Sequence, residues 1–132
     1  MRKLFLLLNL CFFIAVSSFA QDKQPVSMTF DTEHIDLGKV KRGEKRTFDY
    51  TFENTGKETL KISIVSGCDC TTLDWSRRPI KPGETGTINV IFDSTEKEAS
   101  ETVDVDIYLE NLDPKTGEQY LKIIDYTFEL IQ

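Results

Sequence analysis

From Val26 onward the chain alternates apolar and polar residues with a period of two, the mark of strands that bury one face. Val26, Met28 and Phe30 fall on one side, Ser27 and Thr29 on the other. Ile35 and Leu37 resume the pattern after Asp31-Thr32-Glu33-His34, and Gly38 interrupts it. In the cleanest run, Thr47 to Asn54, Phe48, Tyr50 and Phe52 oppose Thr47, Asp49, Thr51 and Glu53. Leu60, Ile62 and Ile64 form the next expected inward row, followed by Ile88, Val90 and Phe92, then by Val103, Val105, Ile107 and Leu109. The last row is Ile124, Tyr126, Phe128 and Leu130. Ile123 directly before Ile124 breaks the alternation and predicts a bulge.

Turn chemistry separates these runs: Lys41-Arg42-Gly43-Glu44, Asn54-Thr55-Gly56-Lys57, Lys81-Pro82-Gly83-Glu84 and Asn111 to Gly117. Proline presets φ in such turns, while glycine and asparagine accept positive φ. Ser94 to Ser100 reads as a polar connection. No apolar row has helical spacing, and no internal repeat is present. The pattern therefore predicts an all-β fold, an immunoglobulin-like antiparallel β-sandwich of about seven strands. A closed barrel is the alternative and fits less well.

The first twenty residues carry a different pattern. Arg2 and Lys3 precede an apolar run from Leu4 to Val16, and Ser18-Phe19-Ala20 places small residues at the third and first positions before a cut. This is the layout of a signal peptide, residues 1–20, leaving 21–132 as one immunoglobulin-like domain. The run falls short of the roughly 18 apolar residues that span a bilayer, so no membrane span is expected in the mature chain. Cys11 lies within this run and is expected to leave with it. The product would be exported, periplasmic or secreted, where disulfides persist.

Charge narrows the partners. Removing Arg2 and Lys3 from 16 basic residues leaves 14 against 22 acidic ones, a net charge of −8. Nucleic acid and anionic lipid both call for a positive patch, so neither is expected as a partner.

The candidate chemistry lies in Ser66-Gly67-Cys68-Asp69-Cys70-Thr71-Thr72. Two thiols one residue apart can serve as soft ligands for monovalent copper or as half of a zinc site. Zinc normally takes four protein ligands, and the only histidine is His34. Copper held by Cys68 and Cys70, with His34 or another ligand completing the shell, stays open as an alternative. A disulfide is the second option; it needs β-carbons about 4 Å apart, so the chain must bend at Asp69. Thiol-disulfide enzymes usually place Cys-x-x-Cys at a helix start, and no helix is expected here. Hydrolytic machinery is missing too: there is one histidine and no Gly-x-Ser-x-Gly elbow. In the structural reading, which is preferred, Gly67 bends the chain, the cysteines pack against Trp75 or the sandwich end, and Thr71 and Thr72 bond local backbone.

An ordered set of segments resembles a known family: His34-Ile35-Asp36-Leu37-Gly38, Phe52-Glu53-Asn54-Thr55-Gly56, Leu60-Lys61-Ile62, Cys68-Asp69-Cys70-Thr71-Thr72, Trp75 and Pro79-Ile80-Lys81-Pro82-Gly83-Glu84. Together, from about Phe30 to Phe92, they are similar to the secreted bacterial immunoglobulin-like family of unknown function with a Cys-Gly-Cys-Thr loop. That fold is similar to the major-sperm-protein-like sandwiches. The resemblance implies an exported sandwich and brings no established activity. Asp69 replaces the family's middle glycine, which sets a carboxylate beside the thiols and disfavours thiolate formation. The expectation is an exported, non-catalytic module that binds a protein partner in the cell envelope, with no cofactor. A copper-binding or redox-active protein is the alternative.

Overall fold

A computed structural model describes residues 24–132 of the chain. The proposed signal peptide, residues 1–20, lies outside the described residues. Among the described residues there are eight strands: β1 (Met28–Phe30), β2 (His34–Lys41), β3 (Lys45–Asn54), β4 (Ile62–Ser66), β5 (Thr71–Trp75), β6 (Thr85–Asp93), β7 (Glu101–Leu112) and β8 (Gln119–Ile131). They form two four-stranded sheets, ordered β1-β3-β6-β5 and β2-β8-β7-β4.

The apolar rows close the space between the sheets. Tyr50, Phe52, Ile88, Val90 and Phe92 from the first sheet are buried against Val105, Ile107, Leu109, Ile124, Tyr126 and Phe128 from the second. Rings interlock across the interface, with Phe92 and Phe128 centred 4.6 Å apart and Phe48 edge-on to Tyr126 at 5.1 Å. Burying an aliphatic or aromatic side chain of this kind contributes about 1.5–3 kcal/mol, so these rows dominate stability.

Two hydroxyls stitch the sheets reciprocally. Tyr50, from the first sheet, donates to the carbonyl of Asp125 in the second at 2.5 Å. Tyr126, from the second, meets Thr71 of β5 at 2.6 Å. Burial raises the pKa of both phenols, which keeps them neutral and able to donate.

The all-β sandwich expected from the sequence is the observed fold, with eight strands where about seven are expected, the added one being the short β5 from Thr71 to Trp75. Three details differ from expectation. The sandwich is mixed rather than wholly antiparallel, since β2 pairs with β8 in parallel. The row Leu60, Ile62, Ile64 does not stay inward: a register shift between Ile62 and Ile64 turns Ile64 out and Val65 in. A one-residue slip moves side chains to the opposite face, so the bulge decides what solvent sees. Conversely, the bulge expected at Ile123-Ile124 is absent. The β7–β8 register runs unbroken through Asp106↔Ile123 and Val105↔Ile124, and Ile123 stands on the outer face.

The turn at Lys81-Pro82-Gly83-Glu84 follows expectation, with Gly83 at φ +84° and Glu84 N–H bonded to the Lys81 carbonyl at 2.9 Å. Among the described residues no helix is long and apolar enough to cross a membrane.

Candidate functional site

The cysteine segment is the link between β4, at the edge of the second sheet, and β5, at the edge of the first. It bends as a β-turn, with Thr71 N–H donating to the Cys68 carbonyl at 3.0 Å. Among the described residues no non-glycine residue has positive φ, and Gly67 does not either, so the turn asks nothing special of Asp69. An ordinary turn geometry accepts aspartate as readily as glycine.

Cys68 and Cys70 are joined by a disulfide, with α-carbons 5.2 Å apart. Both are half-buried against the core. The Cys70 N–H donates to Cys68 Sγ at 3.2 Å. The Thr71 hydroxyl lies 3.3 Å from Cys68 Sγ and 3.4 Å from Cys70 Sγ, and the Tyr126 hydroxyl is 3.7 Å from Cys70 Sγ. With Tyr126 donating to Thr71, the Thr71 proton is free to turn to a sulfur. The Cys70 carbonyl accepts from Asp93 N–H at 2.8 Å, which pins the turn to the end of β6.

Outside the bridge lies an open cleft of about 460 Å³ lined by Cys68, Asp69, Cys70, Asp93, Thr95, Glu96 and Lys97. Three carboxylates face one ammonium there. Asp93 accepts from the Thr95 hydroxyl at 2.6 Å and its N–H at 3.0 Å, and these bonds hold its carboxyl below the usual range. Lys97 reaches Glu101 at 2.5 Å.

Of the residues named from sequence, the structure brings Gly67, Cys68, Asp69, Cys70 and Thr71 into this one turn. Trp75 is at the opposite end of β5, under the Arg77 guanidinium at 3.6 Å, and not beside the sulfurs. His34 is engaged with Asp125 on the outer face of the second sheet. Among the described residues no three His, Cys, Asp or Glu side chains are grouped to hold a metal ion. Copper ligation through Cys68 and Cys70 would require both as thiolates, a state only the reduced pair offers. Tyr126 was legible as an inward residue, but nothing in its own strand ties it to a cysteine 56 positions away.

A second feature occupies the outer face of the second sheet. Register sets Ile64, Tyr108 and Leu121 side by side across β4, β7 and β8, and Ile123 follows one step along β8. Ile64, Leu121 and Ile123 are 49%, 47% and 49% exposed. Beside them stand Asp106, Asp104 and Asp125, the last two directly paired across strands. Like charges in that position repel.

The fold defines the class: two packed sheets in the immunoglobulin-like, PapD-like manner. Residues 28–124 match DUF1573, a family described as proteins of unknown function, and the chain belongs to that family. A protein of unknown function from Porphyromonas gingivalis is similar in structure, with a TM-score of 0.64 at 24% identity, covering 83% of this chain and 49% of that one. The VesB protease of Vibrio cholerae gives 0.61 at 13% identity over 77% of this chain and 31% of its own. The ASH/PapD-like domain 7 of human CEP192 gives 0.58 at 11% identity, over 84% and 88%. The chain thus spans about half of the first protein and under a third of the second. At these identities the likeness establishes the fold alone. No curated protein matches the sequence.

Proposed function

We propose that this chain is an exported, non-catalytic immunoglobulin-like module that acts in the cell envelope by binding another protein. The single observation that carries the reading is the outward row of Ile64 and Leu121, both exposed, about the half-buried Tyr108, continued by the exposed Ile123. An antiparallel face turned to solvent is ordinarily polar, and grouped apolar residues rimmed by charge mark a binding surface. The rim is acidic, through Asp104, Asp106 and Asp125, so the occupant is a protein whose apolar side chains are flanked by lysine or arginine. A second copy of this chain fits poorly, because it would set the same carboxylates against each other. The leader-like residues 1–20 and the family membership support an exported role without a catalytic set.

The test is photo-crosslinking from single positions on the intact chain in cells that make it. A crosslinker at Leu121 is expected to trap a discrete partner with a basic surface, and Leu121→Asp in the chain crosslinked from Ile123 to abolish the product. The same probe at Thr87, on the outer face of the first sheet, should trap none. Equal products from both faces, no product from Leu121, or a product that is the chain itself would overturn the reading. Fractionation and the mass of the mature N-terminus check export and cleavage after Ala20.

A further inference from the structure

We propose that the Cys68–Cys70 disulfide is a thiol-exchange site that takes electrons from a cysteine pair on a cationic polypeptide. The site is separate from the docking face, since it lies on the β4–β5 turn and opens into its own cleft.

Three observations carry it. First, the bridge has little structural work. The stabilisation a cross-link gives by restricting the unfolded chain grows with the loop it closes, and this one spans a single residue. The turn is already closed by Thr71 N–H to Cys68 C=O, and β4 and β5 are each held by their own ladder to β7 and β6. Opening the bridge therefore leaves the fold in place. Second, the bridge lines a cleft instead of being sealed in the core, so a thiol can reach it. Third, the two sulfurs are not equivalent. Cys68 Sγ already accepts the Cys70 N–H and has the Thr71 hydroxyl at 3.3 Å, whereas Cys70 Sγ has only hydroxyls, at 3.4 and 3.7 Å. Hydrogen bonds to a developing thiolate favour it as the leaving group, which assigns Cys68 as the sulfur that leaves and Cys70 as the sulfur attacked.

The step balances as follows. The partner's first thiolate bonds to Cys70 Sγ, the Cys68–Cys70 bond breaks, and the electron pair leaves on Cys68 Sγ, which takes a proton from solvent. The partner's second thiolate then attacks its own first sulfur and releases Cys70, which is protonated in turn. Two electrons pass to Cys68 and Cys70, and the partner's two thiols become a disulfide. The carboxylates of Asp69, Asp93 and Glu96 line the mouth with Lys97. Lys97 is paired with Glu101, and Lys45 reaches Asp93 from the side at 3.9 Å, so the mouth stays net acidic, which disfavours anionic thiols and favours those carried by cationic chains. Asp69 thereby selects the partner, at some cost to the thiolate it neighbours.

The experiment follows the oxidised chain by mass after brief exposure to two small thiols, cysteamine as a cation and 3-mercaptopropionate as an anion. With each rate expressed per thiolate, the native protein is expected to form a mixed disulfide mapped to Cys70 and to react faster with cysteamine. Asp69→Asn should raise the mercaptopropionate rate several-fold while leaving the cysteamine rate equal or lower. Thr71→Val should slow exchange on the order of tenfold at unchanged fold, and Thr71→Ser should restore it. Leu121→Asp, which tests the docking face, should leave every one of these rates unchanged. A bridge that resists both thiols in the native state and opens only in urea would overturn the proposal. So would a mixed disulfide on Cys68, or charge selection that survives Asp69→Asn together with Asp93→Asn.

Discussion

The two sheets share one core but present opposite outer faces. That of the first carries Thr47, Asp49, Thr51, Thr87, Asn89 and Thr72 around one half-buried isoleucine, Ile91, with Asn89 donating to Asp49 at 2.8 Å, as suits a largely solvated surface. That of the second carries Ile64, Tyr108, Leu121 and Ile123 beside Asp104, Asp106 and Asp125. Inside, the sheets are interchangeable in chemistry; outside, the first sets one half-buried isoleucine among polar residues and the second groups several exposed apolar ones, and this contrast is what the docking proposal rests on.

The largest effects should ignore that difference. Ile88→Ala in the first sheet and Ile107→Ala in the second are both fully buried and should each cost about 2–5 kcal/mol in urea unfolding. A loss in one sheet several times that in the other would break the idea of a single shared core. Next come the tyrosine stitches. Tyr50→Phe leaves the Asp125 carbonyl without its inter-sheet donor and should cost about 1–3 kcal/mol. The folded pKa of Tyr50 and of Tyr126 is raised, so the native state holds these protons more tightly than the unfolded chain does. Their contribution is complete below about pH 10, where unfolded tyrosine stays neutral, and it declines as pH rises beyond that. Tyr50→Phe should flatten this alkaline decline; a stability curve unchanged by the substitution would show that the phenol is not held out of water. The smallest effect sharpens the contrast itself. Asp104→Asn removes the repulsion with Asp125 and should stabilise by about 0.2–1 kcal/mol at low salt. A loss instead would mean that the paired carboxylates help hold the sheet rather than serve a partner.

The inward rows from β3, β6, β7 and β8 were readable because period-two burial leaves a direct trace in the residue order. So was the Pro82-Gly83 turn. The outer-face row was not. Alternation predicts Ile64 inward and a bulge at Ile123, because an exposed apolar residue and a buried one look alike until register is known. The same ambiguity hid β5, whose five residues are too few to stand out from the turn before them.

For the cysteine turn the division is sharper. Residue order alone placed two thiols one position apart with a carboxylate between, in a chain of alternating strands, and that set the range of chemistry available to them. Tertiary structure decided the rest. It joined the sulfurs, left the backbone at Asp69 relaxed, and brought Thr71 and Tyr126 to the bridge from opposite sheets. It also opened the acidic cleft in front of them. The reason is geometric: alternation specifies which way each side chain points, but only the pairing of strands and the stacking of sheets specifies what it points at.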